Sequence, residues 1–141
     1  MIIDGKKEAA NLREEIKNEI LEIKKKTNKN PNLTVILIGD FTPSQIYVRN
    51  KEKNSTEVGI TSNVIKYPKE VKEKEVLDKI NELNNDKNIS GILVQLPLPE
   101  QISKEKIINA INPKKDVDGF NPINVGNLAS VSYTHLRAHE T

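Results

Sequence analysis

Apolar residues recur at every third or fourth position near the start of the chain, and this spacing predicts an amphipathic helix. Its apolar positions are Ala9, Leu12, Ile16, Ile20 and Ile23. Three consecutive lysines at 24–26 close the helix, where positive charge suits the C-terminus. Residues 33–38 then form a nearly continuous apolar run that ends at Gly39, which is typical of a strand buried on both faces of a sheet.

Helical and strand patterns continue to alternate up to residue 111. We predict helices at 44–58, 70–84 and 103–111, and strands at 60–67 and 89–96. Gly59 and Pro113 end two of the helices, and Ser103 caps the last one. This order predicts an α/β domain of three layers, in which helices flank a mainly parallel sheet. From Asp116 onward we expect regular structure to fade.

The composition fits one domain without a membrane span. The 141 residues are 35% hydrophobic and 30% charged, and no apolar run approaches the roughly 18 residues of a membrane-spanning helix. The chain has no cysteine, which rules out disulfides and thiolate chemistry and fits a cytoplasmic location. The net charge is only +2, with acidic residues interspersed among the lysines, so neither nucleic acid nor a membrane is an expected partner.

Tyr47 and Lys51 lie four residues apart in the second predicted helix, so their side chains share one face of it. A lysine beside a phenol can carry protons to and from a bound substrate. The ordinary alternatives are a solvated surface lysine and a half-buried packing tyrosine. The spacing by itself raises the odds of the catalytic interpretation only modestly.

Gln95 is a polar residue near the carboxyl end of an apolar strand, which is where ligands bind in open α/β sheets. A buried amide at this position must find hydrogen-bond partners. The alternative is a solvent-facing residue at the end of the strand. Pro97 and Pro99 enclose Leu98 and lack backbone donors, so this rigid segment suits a fixed apolar wall.

Asp116 and Asp118 flank Val117 just before Gly119. The ordinary explanation is turn chemistry, because aspartate and glycine are common turn formers. The functional interpretation is an anchor for a nitrogen-rich ligand, since a carboxylate can accept a pair of N–H donors from an aminopyrimidine-type ring edge. Spacing does not choose between the two aspartates.

His135 and His139 have the spacing of two metal ligands on a helix, but no other obvious ligand accompanies them, and we predict no metal site. The sequence contains neither a GxGxxG fingerprint nor a Walker motif. We therefore predict no cofactor-binding residue within this chain.

Four segments resemble, in order and spacing, those of the bifunctional methylenetetrahydrofolate dehydrogenase/methenyltetrahydrofolate cyclohydrolase family. They are IIDGKKEAANLREEI at 2–16, IGDFTPSQIYVRNKEKNSTEVGI at 38–60, GILVQLPLP at 91–99 and NPKKDVDGFNPINVGNL at 112–128. The resemblance predicts an N-terminal catalytic domain over residues 1–129. The turn at 40–44 departs from the family pattern, with its proline shifted by one, and we expect only altered turn detail.

The resemblance implies a role for each candidate residue. Lys51 would be the catalytic lysine, Tyr47 would stack on or hydrogen-bond to the folate, and Gln95 would hydrogen-bond to Lys51 and tune it. Asp118 would hold the pterin ring, with Asp116 in support. The complete set of implied substrate-binding residues is Tyr47, Lys51, Gln95, Pro97, Leu98, Asp116 and Asp118.

The implied activities are oxidation of 5,10-methylenetetrahydrofolate with NADP and hydrolysis of 5,10-methenyltetrahydrofolate to 10-formyltetrahydrofolate. One-carbon metabolism, purine biosynthesis, a cytoplasmic location and a homodimer of the full-length protein are implied with them. The family continues into a Rossmann domain that binds NADP, which this sequence does not show.

The family pattern stops after about Ala129. Residues 130–141 resemble a translated adapter sequence, so we expect an artefactual, disordered tail on a truncated enzyme. Such a chain should lack dehydrogenase activity and show weak cyclohydrolase activity. The alternative hypothesis is a non-enzymatic folate-binding module, for which Lys51 need not matter.

Overall fold

The computed structural model describes residues 4–130, which form a three-stranded sheet flanked by five helices. The helices are α1 (Gly5–Thr27), α2 (Thr42–Val58), α3 (Glu73–Asn85), α4 (Lys104–Ala110) and α5 (Pro122–Ala129). The strands are β1 (Asn32–Ile38), β2 (Thr61–Tyr67) and β3 (Gly91–Val94). Their order is β2–β1–β3 and both pairings are parallel, so the predicted α/β class is confirmed.

Residues 131–141 lie outside the described residues. They include His135, His139 and all but the first position of the predicted tail. None of the helices within residues 4–130 is long and apolar enough to cross a membrane.

The central strand β1 joins two hydrophobic cores, one on each face of the sheet. Alternate side chains of a strand point to opposite faces. Val35 and Leu37 pack with Val48 of α2, whereas Ile36 and Ile38 join a larger cluster that contains residues of α3 and α4. The expectation that this strand is buried on both faces is confirmed.

The start of α1 and the end of α2 follow the local sequence signals. The Asp4 carboxylate caps α1 by accepting hydrogen bonds from the backbone N–H groups of Lys6 and Lys7 at 3.1 and 3.2 Å. Gly59 ends α2, as predicted, in the left-handed conformation with φ +92°. A glycine adopts this conformation without the steric cost that a Cβ would add.

Several predicted boundaries are shifted. Helix α3 begins at Glu73 instead of residue 70, because the preceding segment forms a turn in which the Val71 N–H donates to the Pro68 carbonyl at 3.2 Å. Strand β3 covers only Gly91–Val94 instead of 89–96. The ladder stops soon afterwards, because Pro97 has no N–H to donate.

The prediction that regular structure fades from Asp116 onward is wrong, since α5 follows at Pro122–Ala129. Its hydrophobic pattern is inverted relative to an ordinary packed helix. Ile123 and Val125 are 59% and 50% exposed, whereas Asn124 between them is buried. A search for apolar residues on an inward face therefore overlooks this helix. Its start is nevertheless capped in the usual way, because the Asn121 side chain accepts a hydrogen bond from the Ile123 N–H.

Glu73 joins the first turns of α3 and α4. One carboxylate oxygen accepts a hydrogen bond from Lys106 Nζ at 2.7 Å, and the other accepts one from the Ser103 N–H at 2.7 Å. The Lys106 hydrogen bond, followed by the Ser103 N–H, lowers the pKa of Glu73 below its ordinary value of 4.5, against the opposing effect of burial. Ser103 is the predicted N-cap of α4, and its own Oγ accepts from the Lys106 N–H.

We predict that Glu73→Gln lowers the midpoint of thermal unfolding by a few degrees at pH 7. Because the folded state lowers the pKa of Glu73, its stabilisation is fully present above the unfolded pKa and is lost as the pH falls through the folded pKa. The difference between variant and parent should therefore shrink as the pH falls below about 4.5. Circular dichroism melts between pH 3 and pH 7 measure this.

Glu75→Gln is the matched control, since Glu75 lies in the same first turn of α3 and is exposed. Both substitutions remove one charge from the helix N-terminus, so their difference isolates the contacts to α4. An equal loss of stability for Glu73→Gln at pH 3 and at pH 7 would contradict the prediction.

Candidate functional site

Lys51 lies on the inward face of α2. Ser44, Val48 and Val58 are the buried residues of this helix, and Lys51 falls on the same stripe, three residues after Val48. Its side chain is half-buried, and its Nζ donates a hydrogen bond to Gln95 Oε1 at 3.2 Å. The alternative of a fully solvated surface lysine does not describe this position.

Gln95 faces α2 because it continues the row of side chains that Leu93 begins. Leu93 packs in the same cluster as Val48 of α2, and a residue two positions later points to the same face. The Gln95 N–H donates to the Ile36 carbonyl at 2.9 Å. Its side-chain Nε2 donates to the Leu96 carbonyl at 2.9 Å, which leaves Oε1 turned toward Lys51. The bond between Lys51 and Gln95 that the resemblance implies is present.

Ser44 is a residue of this network that the sequence analysis missed. It is buried in the first turn of α2, and its Oγ donates to the Leu96 carbonyl at 3.2 Å. The same carbonyl thus accepts from both Ser44 and Gln95, which connects the start of α2 to the end of β3. The available signal was a polar residue on the helical stripe that also contains Val48 and Lys51.

Tyr47 stands at the rim of the site, one turn before Lys51 on α2. Its side chain is 62% exposed, so the alternative of a half-buried packing tyrosine does not hold. Phe41, which precedes α2, and Ile46 on the helix are also exposed. An accessible aromatic ring beside the Lys51 face can stack on a flat ligand.

Pro97 and Leu98 line a cleft of about 480 Å³ at the carboxyl edge of the sheet. The opposing walls are the segments that follow β1 and β2, with Gly39, Phe41 and Lys69 among them. This is the expected edge for a ligand in an open parallel sheet. A larger hollow of about 610 Å³ lies at the opposite edge, around Lys24, Asn32 and Ser90, and contains none of the predicted site residues.

Asp118 reaches the same edge beside β3. An isolated parallel bridge pairs Ile92 with Asp116, so Asp118, two residues later, lies at the level of Val94. The Asp118 side chain is half-buried, and it lines a small cavity together with Leu96 and Phe120.

Asp116 is buried and its carboxylate is directed inward. Its oxygens accept hydrogen bonds from the Gly119 N–H at 3.1 Å, the Asn121 N–H at 2.8 Å and Asn124 Nδ2 at 3.0 Å. The two aspartates that the spacing could not separate therefore differ in environment. Asn121 and Asn124 were also missed by the sequence analysis, because asparagines near a predicted irregular segment give no distinctive signal.

The site contains the parts needed for acid–base chemistry but no evident metal ligands. Within residues 4–130, no group of three or more histidine, cysteine, aspartate or glutamate side chains could hold a metal ion. What the structure brings together is an oriented amine, an amide, an exposed phenol and a carboxylate near one edge of the sheet.

Comparison with known proteins shows which family this chain resembles. The model of the tetrahydrofolate dehydrogenase/cyclohydrolase catalytic domain matches residues 3–118. The chain is 65% identical over 130 residues to the bifunctional protein FolD of Pelagibacter ubique (strain HTCC1062), covering 92% of this chain and 46% of that protein.

Solved structures share the fold of this chain, and the chain covers a similar part of each of them. The bifunctional enzyme FolD, a methylenetetrahydrofolate dehydrogenase/cyclohydrolase from Campylobacter jejuni, superposes with a TM-score of 0.86 at 46% identity, covering 89% of this chain and 44% of that one. The Trypanosoma brucei N5,N10-methylenetetrahydrofolate dehydrogenase-cyclohydrolase, complexed with NADP cofactor and inhibitor, gives a TM-score of 0.89 at 30% identity, covering 95% and 46%. The chain thus spans less than half the length of these relatives.

The family match includes Tyr47, Lys51, Gln95 and Asp118, and it extends over most of the chain. The fold of the described residues is also that of the corresponding part of the solved relatives. The chain therefore belongs to the tetrahydrofolate dehydrogenase/cyclohydrolase family and represents its catalytic domain.

Proposed function

We propose that this chain supplies the folate-binding catalytic half of an enzyme of one-carbon metabolism. The complete enzyme oxidises 5,10-methylenetetrahydrofolate with NADP and hydrolyses 5,10-methenyltetrahydrofolate to 10-formyltetrahydrofolate. The observation that carries this proposal is the 3.2 Å hydrogen bond from Lys51 Nζ to Gln95 Oε1, between residues 44 positions apart. Family membership supports the choice of substrate.

Lys51 moves protons during the hydrolysis. A water oxygen forms a bond to the methenyl carbon, and the bond between that carbon and N5 of the folate breaks. One proton of the water ends on N5, and the other is released. The Lys51 amine, held by Gln95 Oε1, relays a proton between the water and the folate, and general acid–base catalysis of this kind contributes about 10²–10⁴ in rate.

Gln95 acts by fixing the position of the Lys51 amine. Its amide cannot rotate freely, because Nε2 is engaged by the Leu96 carbonyl and Oε1 by Lys51. Lysine carries a flexible stem of four carbons, so an amine without this partner would sample many positions. Orientation of a catalytic group relative to its substrate is itself a large part of the rate enhancement.

Tyr47 and Asp118 bind the substrate ring. The exposed phenol of Tyr47 supplies a flat surface for stacking. The Asp118 carboxylate accepts two N–H donors from the aminopyrimidine edge of the pterin, an arrangement that fixes the orientation of the ring. Pro97 and Leu98 form the apolar wall of the adjacent cleft. Asp116 supports this binding from behind.

The dehydrogenase reaction requires a hydride acceptor, which would be NADP, but the residues of this chain do not fit a dinucleotide. Its six glycines are scattered, and none forms a phosphate-binding loop. The N-terminus of α2 follows Asp40, whose negative charge opposes a phosphate there. We assign NADP binding to the part of the full-length enzyme that this chain does not span. The NADP complex of the Trypanosoma brucei relative supports the choice of cofactor.

A cytoplasmic location, a role in purine biosynthesis and homodimerisation of the full-length enzyme complete the proposal. The absence of cysteine supports a reducing compartment. The even mixture of acidic and basic residues supports a small-molecule ligand over nucleic acid.

We predict that Asp118→Asn weakens binding of 5-formyltetrahydrofolate, used as a stable folate probe. Losing a pair of charge-assisted hydrogen bonds costs about 1.5–3 kcal/mol, or roughly ten- to a hundredfold in Kd. The measurement is a titration of the isotope-labelled chain followed by heteronuclear NMR. The backbone signals of Tyr47, Lys51 and Gln95 should shift as the ligand binds to the parent chain.

Asp78→Asn is the control, because Asp78 lies on α3 and pairs with the exposed Lys74. It should bind the probe with the parent affinity. Equal affinity of Asp118→Asn and Asp78→Asn would refute the assigned role of Asp118. Shifts confined to other surfaces of the parent chain would refute the folate site itself.

We predict that Lys51→Met abolishes most of the hydrolysis while retaining folate binding. The variant should be tested in the chain extended by the remaining half of the Pelagibacter ubique relative, by following the loss of the methenyl chromophore. Turnover should fall by about 10²-fold or more, with the Kd of 5-formyltetrahydrofolate changed less than about threefold, since methionine preserves the packing of the stem.

Lys53→Met is the matched control on the same helix, because Lys53 is exposed. It should retain the parent rate. If Lys51→Met hydrolyses the substrate as fast as Lys53→Met, the catalytic assignment is wrong, and a folate-binding module without catalysis becomes the better description.

A further inference from the structure

Asp116 is the centre of a buried hydrogen-bond network beside β3. Its side chain is only 7% exposed, and three N–H groups surround its two oxygens. A buried carboxylate is costly unless donors satisfy its lone pairs. The neighbouring Lys115 does not compensate it, because its Nζ donates to the carbonyls of Leu83 and Asp86 at 2.8 and 2.7 Å. The N–H donors therefore satisfy the carboxylate, while the backbone of Asp116 is held by its bridge to Ile92 and by its N–H, which donates to the Asn112 carbonyl at 3.0 Å.

Asn121 and Asn124 complete this network, and each is only 4% exposed. Asn121 Nδ2 donates to the carbonyls of Ile111 and Ile108, near the end of α4, at 3.0 and 3.3 Å. Asn124 Nδ2 donates to Asp116 Oδ2 and also to the Pro113 carbonyl at 2.8 Å. Two short amides thus connect α4, the Asp116 carboxylate and α5.

The segment that carries Asp118 is closed at both ends by this network. Asp116 begins it, and the Asn121 N–H returns to the Asp116 carboxylate. Gly119, inside the segment, has φ +70° and donates its own N–H to Asp116 Oδ1. Val117 packs against Gly91, and Phe120 lines the cavity beside α4, so packing places these two partly exposed side chains. The hydrogen bonds to Asp116 fix the turn of the backbone between these two residues and Asn121.

Helix α5 is also attached by polar contacts. Its buried residue is Asn124, while Ile123 and Val125 face outward. A helix docked by hydrophobic packing would show the reverse arrangement. Replacing Asn124 therefore removes a hydrogen bond to Asp116 rather than a large area of buried apolar surface.

We infer that Asp116, Asn121 and Asn124 are positioning residues that hold Asp118 in the geometry needed to bind the pterin ring. This inference rests on the proposed folate function. Asp116 then acts indirectly on the ligand, because its carboxylate already accepts hydrogen bonds from N–H groups of the protein. Asp118 contacts the ligand, and the network behind it determines where that contact lies.

Asn124→Leu tests the inference, since leucine has the same branching of heavy atoms as asparagine but its side chain makes no hydrogen bond. Asn127→Leu is the matched control, with the same change one turn later on α5. We expect Asn124→Leu to weaken binding of 5-formyltetrahydrofolate about tenfold, which is the order of effect of one hydrogen bond to a charged group. Asn127→Leu should leave the Kd unchanged.

A second readout does not depend on folate. Backbone amide order parameters for residues 117–120 should be near about 0.85 in the parent and in Asn127→Leu, and below about 0.6 in Asn124→Leu. A purely structural role of Asn124 in docking α5 would leave this segment rigid. Equal order parameters and equal Kd in the two leucine variants would overturn the inference.

A double-variant cycle tests whether the two residues act through each other. Asp116→Asn alone should weaken folate binding, because its amide would face the N–H donors of Asn121 and Asn124. Adding Asn124→Leu to it should then cost less than Asn124→Leu costs in the parent. Additive effects would mean that Asn124 does not act through Asp116, and would overturn the inference.

The unsubstituted chain provides a test that does not depend on whether the variants fold. The Nδ2 protons of Asn124 should be protected from hydrogen exchange, while those of the half-buried Asn127 should exchange faster. Rapid exchange at Asn124 would overturn the network. If the parent chain does not bind 5-formyltetrahydrofolate, the proposed function fails, and the order parameters still decide whether the network holds residues 117–120.

Discussion

Parallel pairing of the strands is the constraint on which the site depends. Because β1, β2 and β3 run in the same direction, their carboxyl ends lie at one edge of the sheet. The bridge between Ile92 and Asp116 brings a fourth segment to the same edge. Gln95 and Asp118 therefore both lie near that edge although 22 residues of loop and helix separate them in sequence. An antiparallel arrangement would send alternate segments to opposite edges and disperse these groups.

The most informative feature of this fold is that two polar residues occupy positions where the neighbouring residues of the element are apolar. Lys51 takes a place on the stripe of α2 that begins with Ser44 and Val48, and Gln95 follows Leu93 on the face toward that helix. Each is satisfied by a specific partner, as buried polar groups must be. Burial of a polar residue does not by itself mark a site, since Thr34 is buried in the middle of β1 among core residues.

The two aspartates of one turn show how the same side chain acquires different roles. Asp116 faces the protein and accepts three hydrogen bonds from its own chain, whereas Asp118 borders a cavity near the carboxyl edge of β3. As residues i and i+2 of an extended segment they share one face, so the difference comes from the N–H donors that surround the Asp116 carboxylate. One carboxylate then shapes the loop, and the other is placed where a ligand can meet it.

The sequence determined the class of fold, because the alternation of helical and strand periodicities is local information. It also determined the family, through four segments that have the order and spacing of the family's own. The four-residue spacing of Tyr47 and Lys51 placed both on one face of a helix. It did not reveal α5, whose inward residue is Asn124 and whose apolar residues face outward. It could not separate Asp116 from Asp118, since both fit the same turn. Only the tertiary structure decided these points, because burial and hydrogen-bond partners come from residues distant in sequence, and hydrophobic periodicity does not record a contact such as Asn124 to Asp116.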